Sequence, residues 1–209
     1  MQAELQLVLG QERLMPQVLN MTDEQAMWRV QTQDDHHAFA KLVARWEKPI
    51  FRLCARLTGD LHRGEDLKQE AFSKVFAKRK DYQPNCKFST WLWRIALNLC
   101  YDELRKRQRF AKRFAEDGLE SDSAPQREFA SADPAPDLRL LQQEDCDLVR
   151  KALLLLDENL RTILVLRVCE GLKFREIAEL LELPESTVHS RMALGLARLT
   201  RIIEPNFDS

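Results

Sequence analysis

Aromatic and basic side chains are crowded together between residues 84 and 113. The segment opens with Phe88, Trp91 and Trp93, and its second half carries the cations Arg105, Lys106, Arg107, Arg109, Lys112 and Arg113. Unstacked bases bind to aromatic rings, and phosphates bind to cations. The pattern therefore indicates a surface for single-stranded nucleic acid.

The same segment also has the apolar spacing of a helix. Its core stripe is complete without the aromatic rings, since it is supplied by Leu92, Ile95, Ala96 and Leu99. We therefore expect the aromatic side chains not all to be buried on one face. The alternative, in which a tryptophan simply belongs to the core, stays open. Ser89 is expected to cap the N-terminus of this helix.

Residues that could hold a metal or form a nucleophilic site are scattered. The cysteines, Cys54, Cys86, Cys100, Cys146 and Cys169, form no CxxC pair and no cluster with histidine, and they are typical of free thiols in a reducing cytoplasm. Neighbouring His36 and His37 would point about 100° apart on a helix and would not chelate together. We expect no metal, no cofactor and no enzymatic activity.

A second pattern lies between Phe174 and Leu194, and its length and turn residues are typical of a helix-turn-helix. Ile177, Leu180 and Leu181 form the apolar face of a first helix, Ala178 allows a close crossing, and Leu183 fills the turn. Pro184 starts a second helix, with Ser186 or Thr187 satisfying free N–H groups. On the second helix the inward positions are expected to be Val188, Met192, Leu196 and Leu199. Ser186, His189, Ser190 and Ala193 then face outward with Arg191 at the flank, as suits the major groove. The alternative is an ordinary helical hairpin with a solvated face.

Charge and turn residues divide the chain into parts. The net charge of −1 conceals an asymmetry, because residues 114 to 147 are acidic with only Arg127 and Arg139 as cations. We expect an all-α fold of two small helical domains, over residues 34–113 and 138–209, joined by a flexible acidic linker over 114–137. Within the first domain, breaks are predicted at 58–60, near Gly64 and at 81–85. In the second, Asp157 is expected to cap a helix that Gly171 ends. Residues 1–33 stay unassigned, and Met21 or Met27 could equally be the start of the protein.

Residues 64–76 form an amphipathic helix whose outer face is acidic. Leu67, Ala71 and Val75 recur at helical spacing and are expected to be buried, which leaves Asp66, Gln69, Glu70 and Ser73 outside. Phe72 and Phe76 near the acidic edge suggest a mixed polar and aromatic docking surface. A merely solvated face is the alternative.

Three blocks in order, GEDLKQEAFSKVF, KFSTWLWRIALNLCYDELRKR and, after the acidic linker, LRTILVLRVCEGLKFREIAELLELPESTVHSRMALGLARL, resemble a bacterial RNA polymerase sigma factor of the extracytoplasmic-function group. The resemblance covers residues from about 35 to 205. It implies an alternative sigma factor that binds core polymerase and directs promoter-specific initiation by recognising −10 and −35 elements. The linker would be the connector through the polymerase interior.

The resemblance also implies roles for individual residues. It implies that the residues that dock on the clamp helices of the largest polymerase subunit are Asp66, Gln69, Glu70, Phe72 and Phe76. Melting and reading of the −10 element, with a flipped base, falls to the loop 82–88 and the following helix, with Asn85, Lys87, Phe88, Trp91, Trp93, Arg94, Asn98, Arg105 and Lys106. Reading of the −35 duplex falls to Glu185, Ser186, Thr187, His189, Ser190 and Arg191.

The chain departs from the family pattern at two positions. Asp157 stands where the family often has Pro, although Asp starts a helix equally well. His189 stands where Lys or Arg is frequent, which would make a phosphate or base contact there weaker or pH-sensitive.

The resemblance further implies a separate anti-sigma partner, since the chain carries no fused inhibitory domain. The N-terminal residues lack a signal-peptide pattern and no long uncharged apolar run occurs, so we expect a cytoplasmic protein without membrane insertion.

Three rivals predict other behaviour. A stand-alone helix-turn-helix regulator would leave residues 64–107 unexplained. A helical nuclease would need carboxylates or histidines converging on a metal. A helical adaptor would not bind DNA at all, which a gel shift at low salt would detect.

Overall fold

The computed structural model describes residues 21–116 and 148–204, and every regular element within those ranges is helical. The first range contains α1 (Asp23–Gln33), α2 (His36–Thr58), α3 (Leu61–Ala77), a 3₁₀ turn (Arg79–Asp81) and α4 (Phe88–Glu116). The second contains α5, described over residues 148–154, then α6 (Glu158–Leu164) with a π-helical extension (Val165–Cys169), α7 (Phe174–Leu181) and α8 (Glu185–Ile203). The all-α prediction is confirmed.

Helix α1 lies in the stretch that the sequence left unassigned, and it is part of the first domain. It begins with a capping box in which the Thr22 hydroxyl accepts from the Gln25 N–H and the Gln25 side chain accepts from the Thr22 N–H. Its inner face, Ala26, Met27 and Val30, is buried in the same core as α2, α3 and α4.

Helices α2 and α3 meet through a turn at Gly59, whose φ of +71° is the left-handed conformation that glycine tolerates. The break predicted at 58–60 is confirmed, but the break predicted near Gly64 is wrong. Gly64 lies inside α3, and a Cβ built there would be 2.9 Å from the backbone of Ala55 on α2. The glycine marks a close helix crossing and not a chain reversal.

Helix α4 starts two residues earlier than a Ser89 N-cap would allow, so that prediction is wrong. Its first residue is Phe88, and the Phe88 N–H donates to the carboxylate of Glu24 on α1 at 3.3 Å. The helix continues to Glu116, which is three residues into the predicted linker 114–137; the rest of that linker, and residues 138–147, lie outside the described residues.

The helices of the second domain follow the predicted order, and the structure corrects several details. Asp157 occupies the N-cap position of α6, but its side chain makes no capping hydrogen bond and pairs instead with Arg198 of α8, so the predicted side-chain cap is wrong. Gly171 ends the π-helical extension with a φ of +72°. On α8, Val188 is fully buried and Met192 and Leu199 pack against the core, but Leu196 is 44% exposed, so its predicted inward position is wrong. The inward position is taken by Gly195, where an added Cβ would be 3.1 Å from the Leu164 side chain.

The two domains pack against each other in this structure. The Arg161 guanidinium of α6 is buried and donates to the carbonyl of Leu57 on α2 at 2.7 Å. The Glu170 carboxylate, whose side chain is 1% exposed, accepts from Arg56 at 2.6 Å and from Arg52 at 3.2 Å. Among the described helices, none combines the length and the apolar character needed to cross a bilayer.

Candidate nucleic-acid interface

The loop between the 3₁₀ turn and α4 is built around a buried tyrosine. Tyr82 is 3% exposed, and its hydroxyl donates to the Cys86 carbonyl at 2.7 Å. Its ring lies 5.3 Å from that of Trp91 and 6.3 Å from that of Phe88, between centroids. Burial, with the nearby Glu24 carboxylate, raises the pKa of Tyr82 to about 12. The hydroxyl therefore stays protonated and remains the donor that closes the loop.

The three aromatic rings that the sequence assigned to the −10 surface, Phe88, Trp91 and Trp93, are more buried than a base-stacking surface requires. Phe88 is completely buried and Trp93 is 5% exposed, with the Trp93 ring edge-on to Trp46 of α2 at 5.9 Å. The expectation that the aromatic rings are not all buried is confirmed by partly exposed Trp91 and Tyr101, and so is the alternative in which a tryptophan belongs to the core. The burial of Phe88 and Trp93 contradicts a direct contact of these two rings with a base. Trp91 is partly exposed and is the ring of this group that a base can still reach.

The polar side chains that the sequence assigned to this surface are exposed: Asn85, Lys87, Arg94, Asn98, Arg105 and Lys106. Two of them contact the second domain. The Lys87 ammonium lies 3.5 Å from the Glu176 carboxylate of α7. The Arg94 guanidinium lies 3.2 Å from Glu182 and donates to the Glu179 carbonyl at 3.3 Å. In this arrangement part of the basic face is covered by acidic residues of the helix-turn-helix.

The polar residues predicted for the acidic outer face of α3 are exposed as expected. Asp66, Gln69 and Glu70 are exposed, whereas Leu67, Ala71 and Val75 are buried. The aromatic part of the prediction is wrong for Phe72, which is 6% exposed and packs in the core. Phe76 is partly buried against Phe39, 5.1 Å between centroids, with the Arg79 guanidinium 4.5 Å from the Phe76 ring centroid.

The helix-turn-helix consists of α7, a turn at Glu182–Pro184 and α8. Glu185, Ser186, His189 and Ser190 are exposed, and Thr187 and Arg191 are half-buried, so the predicted outer face is confirmed. The N-terminus of α8 shows no side-chain cap, so the predicted capping by Ser186 or Thr187 is wrong. The His189 ring lies against the Phe174 ring of α7 in a tilted arrangement, with 3.9 Å between ring centroids.

Comparison with protein families matches both halves of the chain. Sigma-70 region 2 matches residues 42–110, and Sigma-70 region 4 matches residues 146–199. The chain is 32% identical to the ECF RNA polymerase sigma factor SigW of Bacillus subtilis, over 80% of this chain and 89% of that protein. It is also 32% identical to the RNA polymerase sigma-H factor of Pseudomonas aeruginosa, over 88% of this chain and 94% of that protein.

The chain belongs to the extracytoplasmic-function (ECF) sigma factors. It is a transcription-initiation factor, and its first and second domains are sigma regions 2 and 4.

Solved structures share the fold of this sigma factor. CnrH in complex with the cytosolic domain of CnrY superposes with a TM-score of 0.64 at 22% identity, over 88% of this chain and 97% of that chain. The sigma factor RpoE in complex with the anti-sigma factor NepR, from Bartonella quintana, gives a TM-score of 0.62 at 23% identity, over 79% and 96% of the two chains.

Two residues that contact the region 2 loop were not predicted from the sequence. Glu24 and Gln31 of α1 contact the loop from about 50 residues or more away in sequence. The signature T-x-x-Q at Thr22–Gln25 could have revealed the helix that carries them, because it is the pattern of a capping box. Nothing local could have revealed its contacts. Within the described ranges, no three His, Cys, Asp or Glu side chains converge on a point that could hold a metal ion.

Proposed function

We propose that this sigma factor reads promoter DNA with two separate sets of side chains. Region 2 melts and reads the −10 element through the loop 82–88 and the exposed face of α4. Exposed cations and amides beside the partly exposed Trp91 ring support this, because a single strand offers phosphates and unstacked bases. The buried Phe88 and Trp93 act here by supporting the surface from beneath.

Region 4 reads the −35 element as duplex through the outer face of α8. The observation that carries this assignment is the row of exposed polar side chains on α8, opposite fully buried Val188. Small hydroxyls and a guanidinium on a helix fit the major groove, where each base pair offers a distinct set of donors and acceptors. The Arg191 guanidinium, at the flank of this face, binds a guanine or a phosphate in this proposal.

Core polymerase docks on the exposed carboxylates and amide of α3, at Asp66, Gln69 and Glu70. The partner surface is basic or rich in donors, on the clamp helices of the largest subunit. The chain acts by binding alone, in the cytoplasm, where RNA polymerase works. A separate anti-sigma protein holds it inactive, in keeping with the complex in which the sigma factor RpoE is seen with NepR.

Run-off transcription with purified core polymerase tests the proposal. Genomic templates are transcribed with the wild-type chain, with Arg191→Ala, and with Arg201→Ala as a control that removes an exposed Arg from the last turn of the same helix. We expect discrete new transcripts that share two spaced upstream elements, fewer of them with Arg191→Ala and no change with Arg201→Ala. Binding of DNA without any new transcript would contradict the proposal and favour a stand-alone regulator.

A further inference from the structure

Helix α1 contacts the region 2 loop at both of its ends. At the C-terminal end of the loop, the Glu24 carboxylate accepts from the Phe88 N–H, which is the first N–H of α4. At the N-terminal end of the loop, the Gln31 side-chain amide donates to the carbonyls of Lys80 and Tyr82, at 3.0 Å each. The residues between these ends, Gln83, Pro84 and Asn85, are exposed.

Each contact satisfies a backbone group that the loop itself leaves open. The first N–H groups of a helix have no partner within the helix, and a carboxylate at that end is also favoured by the helix dipole. The side-chain amide of Gln31 has two N–H groups, and it donates to the two carbonyls of Lys80 and Tyr82. A third contact, from the Arg79 guanidinium to Asp34 at 2.7 Å, anchors the 3₁₀ turn to the end of α1.

Helix α1 is itself firmly held, so it can serve as a fixed support. Met27 and Val30 are completely buried. The Asp23 carboxylate accepts from the Trp46 indole N–H of α2 at 3.0 Å and pairs with Arg45. Helix α1 is bonded to α2 and also to both ends of the loop. It therefore fixes the distance between those ends.

We infer that α1 is the element that sets the shape of the promoter-reading loop, with Glu24 and Gln31 as positioning residues. The inference rests on the proposed function of the loop. Selective reading of a flipped base requires donors and rings to be held at fixed positions, because a loop that is free to shift can adapt to a wrong base and then loses less binding energy at a mismatch. Losing the support should therefore reduce discrimination between bases, and not only total activity.

The test compares variants that remove these contacts with variants that keep them. Gln31→Ala removes both donors, and Gln33→Ala removes an exposed glutamine from the same helix and serves as its control. Glu24→Ala removes the acceptor, while Glu24→Gln keeps an oxygen at the same position and should restore function. Gln31→Glu keeps the size but places acceptors against two carbonyls, so it should be at least as harmful as Gln31→Ala.

Reconstituted holoenzyme transcribes two kinds of template: the promoter found by run-off transcription, and the same promoter with single substitutions in its −10 element. The measured quantity is the ratio of transcript from the first template to transcript from the second. We expect Gln31→Ala and Glu24→Ala to lower this ratio about 3- to 10-fold, as the loss of one or two hydrogen bonds would. Glu24→Gln and Gln33→Ala should stay within about twofold of wild type. Affinity for core polymerase should not change in any of them.

An unchanged ratio in Gln31→Ala and Glu24→Ala, with total activity lowered equally on all templates, would overturn the inference, because that is what general destabilisation produces. Direct loop variants, Asn85→Ala and Lys87→Ala, separate this failure from that of the proposed function. If they lower the ratio and the α1 variants do not, only the role of α1 is lost. If they also leave it unchanged, the loop does not read the promoter, and both proposals are overturned.

Discussion

Glu103 lies on α4 between two guanidinium groups. Its carboxylate accepts from Arg63 of α3 at 2.8 Å and from Arg107, one turn along α4, at 3.1 Å. Burial would raise the pKa of Glu103, but the hydrogen bonds and charges of these two arginines outweigh it and hold the pKa below its ordinary value. Arg107 in turn donates to the Thr58 carbonyl at 3.2 Å, so the cluster ties α4 to the turn between α2 and α3.

The Glu103 cluster makes stability depend on pH. A carboxylate whose pKa is lowered on folding stabilises the folded state above its unfolded pKa, and that contribution is lost as pH falls through the folded pKa. We expect Glu103→Gln to be less stable than wild type by about 1 kcal/mol at pH 7, since both arginines are partly exposed and screened. The gap should close as pH falls below the ordinary value of 4.5. Urea unfolding at several pH values measures it, and a gap that does not change with pH would contradict the assignment.

The polar residues on the outer face of α3 give a second prediction at this scale. Asp66→Ala combined with Gln69→Ala should weaken binding to core polymerase about tenfold or more while leaving the thermal midpoint unchanged, because both side chains are exposed. Asp102→Ala combined with Gln108→Ala removes the same residue types from exposed positions of α4 and is the control. Fluorescence titration with labelled core enzyme gives the affinities, and equal affinity for the two double variants would remove this docking surface.

At the scale of the helices, two buried glycines control how closely neighbouring helices approach: Gly64 at the contact of α3 with α2, and Gly195 at the contact of α8 with α6. At Gly64 the neighbour of an added Cβ is the backbone of Ala55, and at Gly195 it is the end of the Leu164 side chain. A backbone cannot move without shifting a whole helix, whereas a leucine side chain can rotate. The two positions look alike in sequence and differ only in what they face.

We therefore expect Gly64→Ala to destabilise the protein by about 1 to 3 kcal/mol, even though alanine is the better helix former. Gly195→Ala is the matched control and should change stability by less than about 1 kcal/mol, because its higher helix propensity offsets a small shift of Leu164. Chemical denaturation of both variants measures the difference. Equal effects would show that the α2–α3 crossing relaxes easily.

The packing of region 4 on region 2 depends on charge at the scale of the whole molecule. The Glu170 carboxylate is enclosed and paired with Arg52 and Arg56, while Lys87 and Arg94 pair with acidic residues of the helix-turn-helix. Contacts made by ion pairs at half-exposed arginines weaken as salt rises. The arrangement is therefore one that ionic strength and a highly charged partner can loosen.

Glu170→Gln should loosen the contact between the domains by about 1 to 3 kcal/mol, because it removes a charge that two arginines share. The radius of gyration from small-angle X-ray scattering should be larger than that of wild type at low salt, and the difference should shrink as salt opens the wild-type protein. Glu47→Gln, a half-buried glutamate of α2, is the control. A radius of gyration equal to wild type at every salt concentration would show that apolar packing alone holds the domains.

Much of this sigma factor could be predicted from the sequence because it depends on neighbours within one or two turns. The spacing of Ile177, Leu180 and Val188 determines which faces of the helix-turn-helix are buried, and hence that His189 and Ser190 are outside. The same local rule identifies the acidic face of α3 and the ends of helices at Gly59 and Gly171. The order of the sequence blocks was enough to indicate the family.

The tertiary structure alone decided the features that depend on residues far apart in the chain. Phe88 continues the predicted core stripe one turn before Leu92, whereas Trp93 lies beside that stripe and is buried because Trp46 of α2 packs against it. The glycine at position 64 of α3 is explained by its close approach to Ala55 of α2, and the support that α1 gives the loop comes from contacts across 49 to 64 positions. Periodicity shows which face of a helix is apolar, but what packs against that face depends on how distant segments meet.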